Sequence, residues 1–151
     1  MTNQIDWLQT IRELRCNVHN GLRAPHKPLL LLFALARFQR HSKNIVIRYG
    51  DAEARLDRLL ADFGPRHKTS AKYPFLHLEP SIWIRTPAGE PSSIKIGVLR
   101  RDGTGKLSPE FENALLNEPQ LLAQIVRYLL DTNFPESLHT EILEQVGLNI
   151  E

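Results

Sequence analysis

The sequence predicts an α+β fold: a mostly helical single domain over residues 1–151, with a small antiparallel β-hairpin or sheet inserted between N-terminal and C-terminal helices. Three observations predict it. Apolar residues recur at helical spacing in both the N-terminal and the C-terminal thirds, whereas residues 73–98 carry short β-branched and aromatic runs. The chain is 42% hydrophobic and 24% charged, within the range that folds. At 151 residues it has the size of one ordinary domain, and neither an internal repeat nor a long linker divides it.

The first helix begins after Thr2 or Asn3 and runs to about Val18, because Ile5, Leu8, Ile11 and Leu14 share one helical face. Asn17 to Pro28 reads as a loop with a turn at Asn20-Gly21. A second helix, about His26 to Arg40, carries Pro28 in its first turn and is apolar all round from Leu29 to Ala36, which makes it the central buried element. Ile45-Val46-Ile47 is short and extended. Asp51 opens a third helix with Ala54, Leu56, Leu59, Leu60 and Phe63 inward, stopped by Gly64-Pro65. Tyr73 to Leu78 and Ser81 to Arg85 read as two strands of a hairpin around Glu79-Pro80, and Ile94, Ile96 and Val98 as a further strand. Arg100 to Lys106 reads as a Gly-rich basic loop. Ser108-Pro109-Glu110 is a cap followed by a first-turn proline, and Pro119 and Pro135 start two more helices, to Leu130 and to about Gly147.

The longest apolar run, Leu29 to Ala36, is eight residues, too short for a membrane span, and Met1 to Trp7 has no basic-then-apolar signal pattern. The lone Cys16 excludes an internal disulfide and a Cys-rich zinc site, so a reducing cytoplasmic setting is expected. Charge is segregated. Met1 to Lys106 holds 18 Lys and Arg against 9 Asp and Glu, whereas Leu107 to Glu151 holds Arg127 alone against 8 acids. Such a division points to one face for a polyanion and another turned elsewhere.

Catalytic patterns are missing. Cys16 sits in an amphipathic helix without a paired His, and the histidines are scattered singly, with no His-x-x-x-His or Cys-x-x-Cys spacing for a metal. Lys95 lacks the acid two residues before it that a common nuclease pattern requires, and Gly103-Thr104-Gly105 lacks the Lys-Ser/Thr of a phosphate loop. His139 reads as a capping or packing residue. The expectation is a chain that is no enzyme by itself and needs neither metal nor cofactor. What remains is binding: three basic loops, Arg23 to Lys27, Arg66 to Lys72 and Arg100 to Lys106, present charges, hydroxyls and backbone N–H groups suited to phosphate oxygens.

Pro25-His26-Lys27-Pro28-Leu29-Leu30-Leu31-Leu32, Phe63-Gly64-Pro65, Tyr73-Pro74-Phe75 and Phe134-Pro135-Glu136-Ser137-Leu138-His139, with Ile142-Leu143 and Val146-Gly147-Leu148, follow one another in this order. From about His26 to Leu148 the chain resembles the sulfur-binding domain of phosphorothioation-dependent restriction endonucleases, where it precedes a nuclease domain of the HNH type. The resemblance implies a non-catalytic module that recognises double-stranded DNA in which sulfur replaces one non-bridging phosphate oxygen. Sulfur is larger, softer and a poorer hydrogen-bond acceptor than oxygen, so an apolar notch holds it at a small desolvation cost. An ordinary oxygen in that notch loses its water without gaining a donor, which rejects unmodified DNA.

By the same resemblance Tyr73 and Pro74 wall the sulfur pocket, His77 lies at the next inward position, and the aliphatic stem of Lys27 completes it. Arg23, His26, Arg66, Lys68, Thr69, Ser70 and Lys72 are implied to hold the DNA backbone. Arg100, Arg101, Asp102, Gly103 and Thr104 are implied to reach base edges, where an arginine reads guanine for roughly 1–3 kcal/mol of discrimination. The chain departs from the family pattern twice: Lys27 stands at a position that can be arginine in the family, and His77 at one that can be a small apolar residue. The implied setting is the cytoplasm of a bacterium, with a nuclease domain following or separate. The residues alone leave two alternatives open, a generic duplex-DNA domain without sulfur selectivity and a protein-interaction module.

Overall fold

The computed structural model describes residues 6–14, 18–19, 22–23, 25–41, 45–64 and 70–150. In chain order they form α1 (Trp7–Arg12), a hairpin of β1 (Val18–His19) and β2 (Leu22–Arg23), α2 (His26–His41), β3 (Ile47–Arg48) and α3 (Tyr49–Phe63). Then come α4 (Lys72–His77), β4 (Trp83–Thr86), α5 (Ile96–Asp102), β5 (Thr104–Leu107), α6 (Pro109–Asn117), α7 (Leu121–Asn133) and α8 (His139–Val146). This is the expected α+β class.

Helix α2 is the axis of the molecule. Every residue from His26 to Ala36 is buried, because an element apolar all round offers water no face and has to be surrounded. Helices α3, α4, α7 and α8 pack against it. Pro28 falls in the first turn, where its missing N–H leaves no hydrogen bond unmade.

The three-stranded antiparallel sheet has the order β3-β5-β4. Its register pairs Ile47 with Gly105 and Trp83 with Leu107 on the inner side. Trp83 packs directly over Gly105: a Cβ at that position would run into the indole, so only glycine admits the ring. The indole N–H donates to the Phe75 carbonyl at 3.0 Å, which ties the sheet to α4. Ser108 caps α6 as expected, accepting the Phe111 N–H at 3.3 Å, while its hydroxyl donates to the Ser81 carbonyl at 2.8 Å. The last helix ends at Gly147 in the left-handed region, φ 84°. His139 caps and packs as expected, donating from Nε2 to the Phe134 carbonyl at 2.9 Å.

Several expectations need correcting. Tyr73 to Leu78 is not a strand but α4: Ala71, Pro74, Phe75 and Leu78 are all buried and recur at i, i+3, i+4, i+7, a helical stripe that the aromatic run obscures. The expected hairpin around Glu79-Pro80 is therefore a helix followed by β4. Ile94, Ile96 and Val98 do not form a strand either. Residues from Ile96 belong to α5, which is held against α3 so closely that a Cβ on Gly50 would meet the Arg100 carbonyl oxygen. The stretch from Arg100 to Lys106 is no loop: it is the end of α5 and the central strand β5, and its glycines serve close approach, Gly103 to Leu99 and Gly105 to Trp83. In α3 the inward alanine is Ala52, with Ala54 exposed. The first helix spans Trp7–Arg12, capped by Asp6, whose Oδ1 accepts the Gln9 N–H at 3.1 Å; the expected start at Thr2 or Asn3 lies outside the described residues. At the expected end of that helix, Val18 belongs to β1.

Replacing Gly105 by alanine forces the indole off the sheet. We expect a loss of about 1–3 kcal/mol, the usual cost of overpacking a filled core, read from chemical denaturation of the variant against the parent.

Candidate nucleic-acid interface

Helix α4 carries the centre of the site. Its start is fixed by two hydrogen bonds: the Ser70 hydroxyl accepts the Lys72 N–H at 2.9 Å, and Asp57 accepts the Ala71 N–H at 2.8 Å. With Pro74 and Phe75 turned into the core, Lys72, Tyr73 and His77 face outward. Tyr73 and His77 are four residues apart on the helix, and their rings stack at 4.5 Å with an interplanar angle of 26°. The imidazole of His26 meets Tyr73 edge-on at 5.4 Å.

The facing wall is built by an arginine that the sequence reading did not single out. Arg85 on β4 donates to three carbonyls, those of Leu76, Pro87 and Gly89. It thereby pins the segment after β4 beside α4. Between them opens a cleft of about 460 Å³ lined by Ser70, Lys72, Tyr73, Leu76, His77, Glu90, Pro91 and Ser92. Its apolar parts are the tyrosine ring, Leu76 and Pro91.

Burial holds the His77 imidazole below its ordinary pKa of 6.5, and the nearby charges of Lys27 and Arg85 depress it further. At neutral pH His77 is therefore the uncharged imidazole, a hydrogen-bonding ring rather than a cation. Lys27, although close enough to act on His77, is buried, and its ammonium pairs with Glu79 Oε1 at 2.7 Å. A buried cation needs such a partner.

Further along, the guanidinium of Arg100 forms a bidentate pair with Glu53, from Nε at 2.9 Å and from the terminal nitrogen at 2.9 Å. Tyr49 adds a hydroxyl to the same carboxylate at 3.3 Å. The pairing with Arg100 holds Glu53 below the usual carboxylate range, and burial together with the Glu53 charge pushes the Tyr49 hydroxyl well up. Arg101 is exposed and paired with the adjacent Asp102 at 3.0 Å. Gly103 is buried at the end of α5, where its carbonyl accepts the Tyr49 N–H at 2.9 Å, and Thr104 lies in β5 with its hydroxyl against that of Thr86.

Of the residues singled out from the sequence, the structure brings Ser70, Lys72, Tyr73 and His77 onto one cleft, with His26 in ring contact behind Tyr73. Pro74 is buried in α4, and Lys27 is turned to Glu79; neither lines the cleft. Arg23 lies in β2, paired with Val18. Arg66, Lys68 and Thr69 lie outside the described residues. Sequence reasoning missed Arg85, Glu79, Glu53 and the Glu90–Ser92 wall. For the wall a signal exists in the turn-forming run Thr86-Pro87-Ala88-Gly89-Glu90-Pro91. The carboxylates stand 47 and 52 residues from their partners, and no local pattern marks them. Among the described residues no group of three or more His, Cys, Asp or Glu is placed to hold a metal, and no helix is long and apolar enough to cross a membrane.

A helical α+β frame with an aromatic, lysine-rimmed cleft on a short helix describes a binding module. Residues 4–151 match the model of the ScoMcrA-like DNA sulfur-binding domain, and the chain belongs to that family. Solved structures share the fold. The sulfur-binding domain of SprMcrA complexed with phosphorothioated DNA superposes with a TM-score of 0.75 at 23% identity, over 95% of this chain and 93% of that one. The sulfur-binding domain of ScoMcrA complexed with phosphorothioated DNA gives 0.77 at 17%, over 96% and 97%. The sulfur-binding and SRA domains of ScoMcrA, also in complex with phosphorothioated DNA, give 0.77 at 19%, over 95% of this chain and 47% of that one. No curated protein matches the sequence.

The cause of the His77 shift is open to measurement. We expect its imidazole to titrate below 6.5 by NMR, and Lys27→Met to move it back upward by removing one neighbouring positive charge.

Proposed function

We propose that this chain recognises double-stranded DNA carrying a phosphorothioate linkage and serves as the targeting module of a modification-dependent restriction endonuclease. Family membership supports the reading, and one observation carries it: the cleft on α4, where an aromatic ring, Leu76 and Pro91 stand beside Lys72 and Ser70. The sulfur seats against the apolar part. Lys72 and the Ser70 hydroxyl serve the remaining oxygens of the linkage, which keep their need for donors. Pro74 and Lys27 fix this arrangement from behind, Pro74 by filling the core side of α4 and Lys27 by its charge beside His77.

His77 is uncharged at neutral pH and stacked on Tyr73, so it narrows the pocket and offers a ring N–H to the linkage. Arg23, Arg66, Lys68 and Thr69 contribute backbone contacts that set the register, and His26, buried behind Tyr73, supports that ring rather than meeting the DNA. Arg100 and Arg101 meet base edges, with Asp102, Gly103 and Thr104 forming the backbone that carries them; to do so Arg100 exchanges the Glu53 carboxylate for a guanine edge. The module spans residues 1–151 as a single domain and works in the bacterial cytoplasm with a nuclease domain, of the HNH type in the restriction enzymes it resembles.

The Tyr73–His77 stack also favours a second reading, a duplex-DNA domain without sulfur selectivity, because His77 covers one face of the ring that would meet sulfur. A titration of one duplex in three forms, unmodified and with each phosphorothioate stereoisomer, separates the two. We expect tight binding of one stereoisomer and a preference over the unmodified duplex that falls about tenfold in Tyr73→Ala, the effect of removing an interaction near 1.4 kcal/mol. Equal binding of all three forms overturns sulfur recognition in favour of the second reading.

A further inference from the structure

We infer that the open face of the three-stranded sheet is a second DNA-contacting surface, gripping the sugar–phosphate backbone outside the cleft. The inference rests on the reading that the chain binds duplex DNA. Antiparallel partners point their side chains to the same side, so the register defines this face. Arg48, Thr104 and Thr86 form one row across β3, β5 and β4, and Lys106 and Ile84 form the next. Val46, just ahead of β3 and 55% exposed, continues the second row.

The other side of the sheet is closed by Ile47, Trp83 and Leu107, so these two rows are what the sheet offers to the outside. None of the six residues is acidic. Among the described residues Arg48 and Lys106 make no ion pair, whereas Lys27, Arg58, Arg100 and Arg101 are all matched with carboxylates. Arg48 and Lys106 are diagonal neighbours on adjacent strands, a separation of roughly 7–8 Å. Two unmatched cations at that spacing, flanked by the hydrogen-bonded Thr86 and Thr104 hydroxyls, which keep one O–H to donate outward, complement the charges and acceptor oxygens of a nucleic-acid strand. Val46 and Ile84 are too little apolar area for a stable protein interface, which needs about 800 Å² from each partner. Against sugar carbons they suffice.

Position argues the same way. β4 passes from this face into the segment that Arg85 pins as the cleft wall, and β5 begins directly after Arg101-Asp102-Gly103. The strands of this face thus run directly into two of the pieces that hold the duplex, the cleft wall and the Arg100-Arg101 segment.

The experiment uses fluorescence anisotropy on the chain with an ordinary and a phosphorothioate duplex of one sequence, across 50–200 mM salt. The variants are Arg48→Ala, Lys106→Ala, the double variant, Arg48→Lys and Tyr73→Ala, each checked for an unchanged melting temperature. We expect the double variant to weaken both duplexes by a similar factor, on the order of tenfold. Its dependence of log affinity on log salt becomes shallower by about two, near 0.9 for each phosphate no longer neutralised, and Arg48→Lys restores most of its share. Unchanged affinity and salt slope for both duplexes overturn the inference and leave the face to a protein partner, with the cleft reading intact. A change confined to the modified duplex also overturns it, because the face then senses the linkage rather than the backbone. Should the parent chain bind both duplexes equally, sulfur recognition fails, and the ordinary duplex still decides the sheet face. Should it bind neither, both readings fall.

Discussion

The seating of Trp83 on Gly105 is the constraint on which the site depends. The ring occupies the space a side chain would take, packs edge-on against Phe75 at 5.3 Å, and donates its N–H to the Phe75 carbonyl. Phe75 in turn meets Tyr49 at 5.0 Å. One indole thereby fixes the sheet, α3 and α4 relative to one another. Tyr73 and His77 stand on the opposite side of α4 from this contact, where their stack and the edge of His26 orient the rings. A site of this kind binds with little conformational entropy left to lose.

The cations of the chain divide by what surrounds them. Lys27 is matched from within and belongs to the frame: its pair with Glu79 joins the start of α2 to the residues just after α4. Arg100 is intermediate, exposed yet held by both oxygens of the Glu53 carboxylate, which keeps its planar guanidinium aimed. Lys72, Arg48 and Lys106 make no ion pair among the described residues. The 18 cations of residues 1–106 therefore overstate the positive groups open to a polyanion, because Lys27, Arg58, Arg100 and Arg101 are each matched with a carboxylate.

The helices were legible where a local rule applies. Leu29 to Ala36 has no polar face, Ser108-Pro109 is a cap with a first-turn proline, and Gly147 ends a helix, and all three are where those rules place them. The middle of the chain was misread because its elements are short and tertiary packing outweighs local pattern. Six residues of α4 contain an aromatic run that alternates like a strand, and only the stripe of Ala71, Pro74, Phe75 and Leu78 reveals the helix. The glycines at 103 and 105 look like loop residues until the Leu99 side chain and the Trp83 ring are seen against them. Family resemblance pointed to Tyr73 and His77 for a pocket and to Lys72 and Ser70 for the DNA backbone, and the structure brings the four onto one cleft. Arg85 was not, because its partners are backbone carbonyls, and a carbonyl leaves no mark in a sequence.

That last property has an evolutionary side. Arg85 grips main-chain oxygens and is indifferent to the side chains around them, so the wall keeps its place whatever residues it carries at Glu90, Pro91 and Ser92. Shape and chemistry are uncoupled there. One side of the cleft can change in charge and bulk while the opposite side, built on α4, keeps its form, a division that lets new preferences arise without refolding the module.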